Sequence, residues 1–449
     1  MDKVIKWIDA RFPLTKVWEE HLSKYYAPKN FNFWYYFGVL ATLVLVIQIV
    51  TGIFLTMHYK PDTTLAFASV EYIMRDVPWG WLIRYMHSTG ASLFFVVVYL
   101  HMYRGLIYGS YREPRELIWF IGVVIFIALM AEAFMGYLLP WGNMSYWGAQ
   151  VIISLFDAIP YVGPVLSEWL RGDFVVSDAT LNRFFAFHVI ALPLVLVALV
   201  FVHIVALHKV GSNNPDGVEI KKKKDAKGIP LDGIPFHPYY TVKDTAGMVA
   251  FLMVFAAIIF FIPEMGGWFL ERDNFMPANI LQTPPEIVPL WYFTPYYSIL
   301  RATTDDMVKY GLTPFVLVLA ALTIYSVRVP KVRAATVIAT VVILAGFYFL
   351  QAKVWGVVLM GLSLMVFFAL PYLDRSRVKS VRYRGWLYKL AVAIFVVAFF
   401  VLGYLGTQPA SGLKVVIAQV GTIVYFAFFL LMPWYTTFDK TKPVPERVT

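Results

Sequence analysis

The sequence predicts an all-α fold: a polytopic membrane bundle of about ten transmembrane helices, four of which form the core. Three observations predict it. Hydrophobic residues make up 59% of the 449 and charged residues only 15%, with mean hydropathy +0.66, the composition of a chain that crosses a membrane many times. Apolar stretches long enough to span recur near 33–57, 80–107, 117–139, 182–207, 246–262, 312–328, 334–351, 354–373, 386–406 and 413–433. Within the second and fourth lie matched histidine pairs, His87 with His101 and His188 with His203.

Taken in order, residues 1–32 set Val4, Ile5, Trp7 and Ile8 among Lys3, Lys6 and Asp9. That pattern predicts a surface helix ahead of the first span, with no cleavable signal. Residues 140–181 are too polar and too punctuated by Gly and Pro to span, and predict two short helices along the outer face. A second non-spanning stretch, 263–310, is rich in Pro and aromatics. With ten spans both termini lie on one side. Placing them in the cytoplasm assigns 28 of the 38 Lys and Arg residues to that side, and every cytoplasmic loop shares the excess. The net charge of +10 is therefore a topology signal, and nucleic acid is not expected as a partner. The Lys221–Lys224 run reads as a solvated cytoplasmic loop.

His87 and His101 are fourteen residues apart, about four helical turns and about 21 Å of rise, so both rings leave one face at two depths. In this topology the second and fourth spans run in the same direction. His87 then meets His188 near the outer face and His101 meets His203 near the inner face, the geometry for two stacked haems, each with its iron held by two imidazoles. With no cysteine in the chain, such haems are non-covalent b-type groups, and Cys-ligated iron–sulfur clusters are excluded. The fourth span carries one residue more between its histidines. Pro193 lies just after His188, which predicts a kink or π-bulge between His188 and Val195 that absorbs the extra residue. Gly38 and Gly52 in the first span repeat the interval of fourteen, as do Gly122 and Gly136 in the third. These supply side-chain-free surface at each haem level, although close helix packing through small residues accounts for them equally when taken alone. Arg84 and Arg104 sit at the membrane ends, suited to haem propionates or to snorkelling.

The chain closely resembles the cytochrome b family of cytochrome bc1 complexes (ubiquinol–cytochrome c oxidoreductase, respiratory complex III), in its bacterial form. Matching stretches include RYMHSTGASLFF at 84–95, MGYLLPWGNMSYWGA at 135–149, RFFAFH at 183–188 and HIVALHKVGSNNPDG at 203–217. IPFHPYYTVKD at 234–244 and TPPEIVPLWYF at 283–293 also match, so nearly the whole chain is covered in order. The resemblance implies a Q cycle coupled to proton translocation. Quinol is oxidised at an outer site, one electron passes through the two haems, and quinone is reduced at an inner site. It implies outer-site roles for Tyr137, Gly148, Pro289, Trp291, Tyr292 and Tyr297, and inner-site roles for His208, Ser212 and Asp244. A Rieske iron–sulfur protein, cytochrome c1 and a homodimer of the complex are the implied partners, in a bacterial inner membrane. The domains expected are a cytoplasmic amphipathic segment (1–32), a haem-binding domain (33–262), an external quinol-site loop (263–310), an added transmembrane hairpin (311–352) and a C-terminal three-helix domain (353–449).

Two departures from the family stand out. Where it has Pro-Glu-Trp-Tyr, with a glutamate thought to take a proton from quinol, this chain has Pro289-Leu290-Trp291-Tyr292. Glu132 is the one acid deep in a predicted span, and an intramembrane acid is a functional candidate by default. It is the expected replacement as quinol ligand or proton acceptor, against the alternative of a protonated carboxyl bonded to backbone. Glu286 is a second candidate, expected to face water. The second departure is the hairpin itself, a lipid-facing buttress or a docking surface for another complex such as a terminal oxidase in a supercomplex. Two other functions fit the sequence less well. A di-haem membrane anchor of a dehydrogenase or hydrogenase has no use for two quinone-site motifs, and a transporter would carry more acids within its spans.

Overall fold

The computed structural model describes residues 2–449. Among these described residues, ten helices are long and apolar enough to cross a membrane, one for each predicted stretch. They are α1 (Phe33–Thr56), α2 (Gly80–Tyr108), α3 (Glu116–Leu138), α4 (Asp178–Val210), α5 (Phe236–Phe261), α6 (Met307–Ser326), α7 (Pro330–Phe349), α8 (Ala352–Leu373), α9 (Trp386–Gly406) and α10 (Leu413–Leu430). This is a polytopic all-α bundle, and the protein is a multi-pass membrane protein. Apolar residues surround most of these helices on every side, as expected of spans whose outer faces meet lipid.

Helix α1 packs along α2 and α4 along α3, which makes the four-helix core. Helices α8 to α10 gather around a second cluster, in which Phe367, Phe395, Tyr425 and Phe429 are buried together. The short helix Thr294–Ala302 is wedged between the two halves, with Tyr296, Ser298, Ile299 and Ala302 buried. Arg301 at its end donates to the carbonyls of Leu405, Gly406 and Gln408 at 2.8–3.0 Å, capping α9. Helix α7 buries none of its residues; the hairpin is held by Met307, Val308 and Leu312 at the start of α6 and by Trp355 of α8, whose Nε1 donates to the Gly346 carbonyl at 3.2 Å.

Helix α4 is interrupted where the sequence predicts. A π-turn runs over Phe187–Ala191, closed by the Leu192 N–H donating to the Phe187 carbonyl, and Pro193 follows in the first turn of the next helical segment. One turn of wider girth takes up one extra residue, which restores the phase between His188 and His203. The outer segment 140–181 folds as the helices Asn143–Ser154 and Gly163–Arg171.

The inner loops are held by charge. Asp374 and Arg384 are both fully buried and pair at 2.5 Å, with Tyr111 donating to the same carboxylate at 2.7 Å. Glu219 takes a bidentate grip from Arg115 at 2.6 and 2.9 Å and a third contact from Lys379 at 2.6 Å. Burial works against the Glu219 carboxylate, yet Arg115 and Lys379 outweigh it and bring its pKa down to about 2. Stability from this cluster is thus present in full above pH 4.5 and is lost as the pH falls toward 2. Removing one partner of a buried pair costs about 3–5 kcal/mol, so Asp374→Ala should lower the thermal unfolding midpoint of the detergent-solubilised complex clearly. Glu446→Gln, at an exposed contact with Lys223, should leave that midpoint nearly unchanged.

Candidate functional site

The four histidines converge as two pairs inside the core. Ring centroids of His87 and His188 are 6.0 Å apart, and those of His101 and His203 are 6.4 Å apart. Two metal–imidazole bonds of about 2 Å, plus the two ring radii, make about 6 Å between centroids, so each gap has the width for one iron between two rings. Each core glycine faces one of these imidazoles. A Cβ at Gly38 would lie 3.5 Å from His101 Cε1, at Gly52 3.2 Å from His87 Cε1, and at Gly122 3.4 Å from His203 Cε1, while at Gly136 it would overlap the His188 ring. The outer rings have their Nδ1 atoms engaged. Thr51 Oγ1 lies 3.0 Å from His87 Nδ1, and the Glu132 carbonyl oxygen lies 2.9 Å from His188 Nδ1. Such contacts fix ring orientation and leave Nε2 for a metal. The Nδ1 atoms of His101 and His203 are buried without a partner. These residues fit a haem at each level. Arg84 and Arg104 form no ion pair with a carboxylate among the described residues, which leaves both guanidinium charges available to propionates.

At the outer end the chain leaves α3 through Pro140-Trp141-Gly142, with Trp141 at a left-handed φ of 53°. That turn lays the helix Asn143–Ser154 back over Tyr137. Ser145 Oγ donates to the Tyr137 carbonyl at 2.5 Å, and a Cβ on Gly148 would sit 3.5 Å from the Tyr137 ring, so Gly148 leaves room beside it. From the other side comes Pro289-Leu290-Trp291-Tyr292. Leu290 is buried. Tyr292 stacks on Phe95 at 3.9 Å, and its carbonyl accepts from the Tyr99 hydroxyl at 2.6 Å. Trp291 Nε1 donates to Ser92 Oγ at 3.2 Å. Tyr297 is turned back to its own loop, donating to the Ile287 carbonyl at 3.1 Å, with Arg301 over its ring.

Neither acid expected from the sequence meets Tyr137. The Glu132 carboxylate lies 3.0 Å from His188 Nδ1, on the haem side of α3, and Glu286 is exposed. The acid that does meet it is Glu271, whose Oε2 accepts from the Tyr137 hydroxyl at 3.0 Å. In the sequence Glu271 reads as one charge in an ordinary loop, Glu271-Arg272-Asp273-Asn274. The one signal pointing to it is the missing acid at Leu290.

At the inner end, His208 Nδ1 lies 2.9 Å from His21 Nδ1, and the Tyr25 ring stacks on His208 at 4.5 Å. Tyr25 also stands beside Ser212, and Tyr35 beside Asp244. Asp244 is buried, with Oδ1 unpartnered. The three predicted inner residues are thus gathered under the amino-terminal segment, which is clamped there by a two-stranded ribbon, β1 (Tyr26–Pro28) against β2 (Gly233–Pro235). His21 and Tyr25 were not foreseen, because residues 1–32 carry no span-like signal and only the ribbon brings them to α4.

Family models described as Cytochrome b/b6/petB and Cytochrome b(C-terminal)/b6/petD match residues 22–211 and 277–426. The chain is 58% identical to a cytochrome b of Allochromatium vinosum over 449 residues, 99% of this chain and 98% of that one. It is 45% identical to a cytochrome b of Rhodospirillum rubrum, covering 100% of this chain and 96% of that one. A solved structure described as a hyperthermophilic respiratory Complex III matches with a TM-score of 0.79 at 34% identity, over 97% of this chain and 99% of that chain.

The glycine contacts differ in tightness, and that difference makes a test. Gly136→Ala should displace His188 and remove the haem absorbance that depends on it, whereas Gly38→Ala adds an ordinary contact and should leave the spectrum largely intact. Reduced-minus-oxidised difference spectra of the two variants measure this.

Proposed function

From the premise that this chain belongs to the cytochrome b family and is the cytochrome b subunit of a quinol–cytochrome c oxidoreductase, we propose that it runs a Q cycle with two b haems and two quinone sites. His87 and His188 hold the outer haem and His101 and His203 the inner one. Arg84 and Arg104 pair with the propionates, and Gly38, Gly52, Gly122 and Gly136 leave room for the ligand rings and the macrocycles. When bound, the haems supply one-electron transfer between the outer and inner levels.

Tyr137, Gly148, Pro289, Leu290, Trp291, Tyr292 and Tyr297 shape the outer quinol pocket. Glycine at 148 leaves space against Tyr137 for a flat ring, and the buried Leu290 and stacked Tyr292 exclude water. At the inner site, His208, Ser212 and Asp244 bind quinone. Histidine and carboxylate side by side can each hold a proton for a quinone being reduced. The Rieske protein and cytochrome c1 of the multi-subunit complex dock on the outer side, and the exposed apolar face of α4, including Ile190, Leu194 and Phe201, suits the homodimer contact. The membrane is a bacterial inner membrane, with both termini cytoplasmic.

The observation that carries this reading is the pairing of four imidazoles at two depths, each against its own glycine. The test is quinol-driven haem reduction in the purified complex. With the inner site blocked by an inhibitor, quinol should reduce b haem in the wild type. Asp244→Asn without inhibitor should slow reoxidation of that haem by about tenfold or more. No b-haem reduction by quinol in the wild-type complex would refute the reading.

A further inference from the structure

Quinol oxidation releases two hydroxyl protons, and a pocket walled by Leu290, Trp291 and Tyr292 offers no base to receive one. Tyrosine hydroxyls are too weakly acidic to exist as the base near neutral pH. One carboxylate reaches this cluster. Glu271 accepts the Tyr137 hydroxyl bond at 3.0 Å and stands close enough to Tyr292 that its charge helps raise the Tyr292 hydroxyl's pKa, second to burial. Glu271 forms no ion pair among the described residues. It is partly buried, with some surface still open to water.

Its position is fixed by the fold. The strand of loop just after it is stitched to the start of the helix that covers Tyr137. Asn143 N–H donates to the Met276 carbonyl at 2.8 Å, Ala278 N–H to the Trp141 carbonyl at 3.0 Å, and Ser145 N–H to Asn274 Oδ1 at 2.8 Å. A carboxylate held on such a latch is preorganised. Loss of hydration pushes the Glu271 pKa up and Asp273 adds to the push, while its own backbone N–H and the Tyr137 hydroxyl pull the other way, leaving it at about 7. The groups facing it are Tyr137 from α3, Tyr292 from the opposite wall, and Asp273 on its own loop.

We propose that Glu271 is the base that receives a quinol hydroxyl proton at the outer site, in the role left vacant at Leu290. This rests on the outer-site reading above. A quinol O–H bond breaks, its proton passes to the Glu271 carboxylate, and the bonding pair stays on the quinol oxygen. The second hydroxyl proton goes to the outer aqueous phase. Two electrons leave, one at a time, to the carriers that the quinol–cytochrome c oxidoreductase reaction supplies. The open side of Glu271 then returns its proton to outer water. Glu132, on the His188 ring, keeps that ring oriented.

The test is steady-state turnover across pH 5.5–9 in the intact complex, with b-haem spectra recorded for each variant. The base form of Glu271 is needed, so wild-type turnover should fall as the pH drops through about 7. Glu271→Gln keeps an acceptor for Tyr137 but cannot take a proton. It should lower kcat by about 10²-fold at pH 8, abolish the acidic limb and leave the haem spectra unchanged. Adding Leu290→Glu to Glu271→Gln should recover most of the loss. Turnover of Glu271→Gln within twofold of wild type with the limb intact, or loss of the limb in Glu132→Gln instead, would overturn the assignment. Failure of the outer-site reading looks different, because with the inner site blocked by an inhibitor quinol would then reduce no b haem in the wild type.

Discussion

Everything in the core follows from keeping two rings on α2 in register with two rings on α4. An imidazole pair can hold an iron only if both rings arrive at one depth and face each other, and that condition has to be met twice along the same two helices. Fourteen residues return an α-helix to nearly the same face, whereas fifteen overshoot by more than half a right angle. The π-turn at Phe187–Ala191 removes this conflict. It spans the start of the His188–His203 interval, so the outer ring is carried on the turn itself and the inner ring on the regular helix beyond it. Helices α1 and α3 then need only be smooth at the right heights, and the four glycines against the four imidazoles make them so.

The register would be worth little if the helix ends could drift. On the inner side it is charge that holds them. Positive residues counted from the sequence toward the cytoplasmic side are also structural, since Arg115, Lys379 and Arg384 grip Glu219 and Asp374. On the outer side the holding elements are backbone hydrogen bonds between the loop after α5 and the turn after α3. This end, where a partner is proposed to dock and substrate to enter, is therefore fixed by directional bonds to a loop. The inner end is fixed by buried ion pairs.

The spans, the histidine pairs, the glycine intervals and the irregularity in α4 were all legible in the sequence, because each is a periodic property of one helix. Periodicity needs no knowledge of neighbours. Glu271 and His21 were not legible for the opposite reason. Each lies in a segment without period and acquires its meaning from a contact with a helix far off in the chain, Tyr137 in one case and His208 in the other. Glu132 shows the limit of depth as a guide. It lies within the span α3, but position along a span says nothing about azimuth, and the side chain leaves α3 toward His188.

The two ends differ in the kind of proton-carrying group they present, and the difference matches the direction of chemistry proposed for each. At the outer end a single carboxyl with a pKa near 7 stands beside a tyrosine in an otherwise apolar wall, open to water on one side. Such a group takes a proton from a donor in the pocket and gives it up outward. At the inner end His208, His21 and Asp244 gather beneath a ribbon that belongs to the amino terminus, on the side where the basic loops are solvated. Groups of that kind draw protons from water and offer them to an acceptor. Opposite proton flows at two faces, joined by one electron path between fixed depths, need no moving part within this chain. The proposed electron path asks that the ring depths stay fixed, and the register between α2 and α4 is what fixes them.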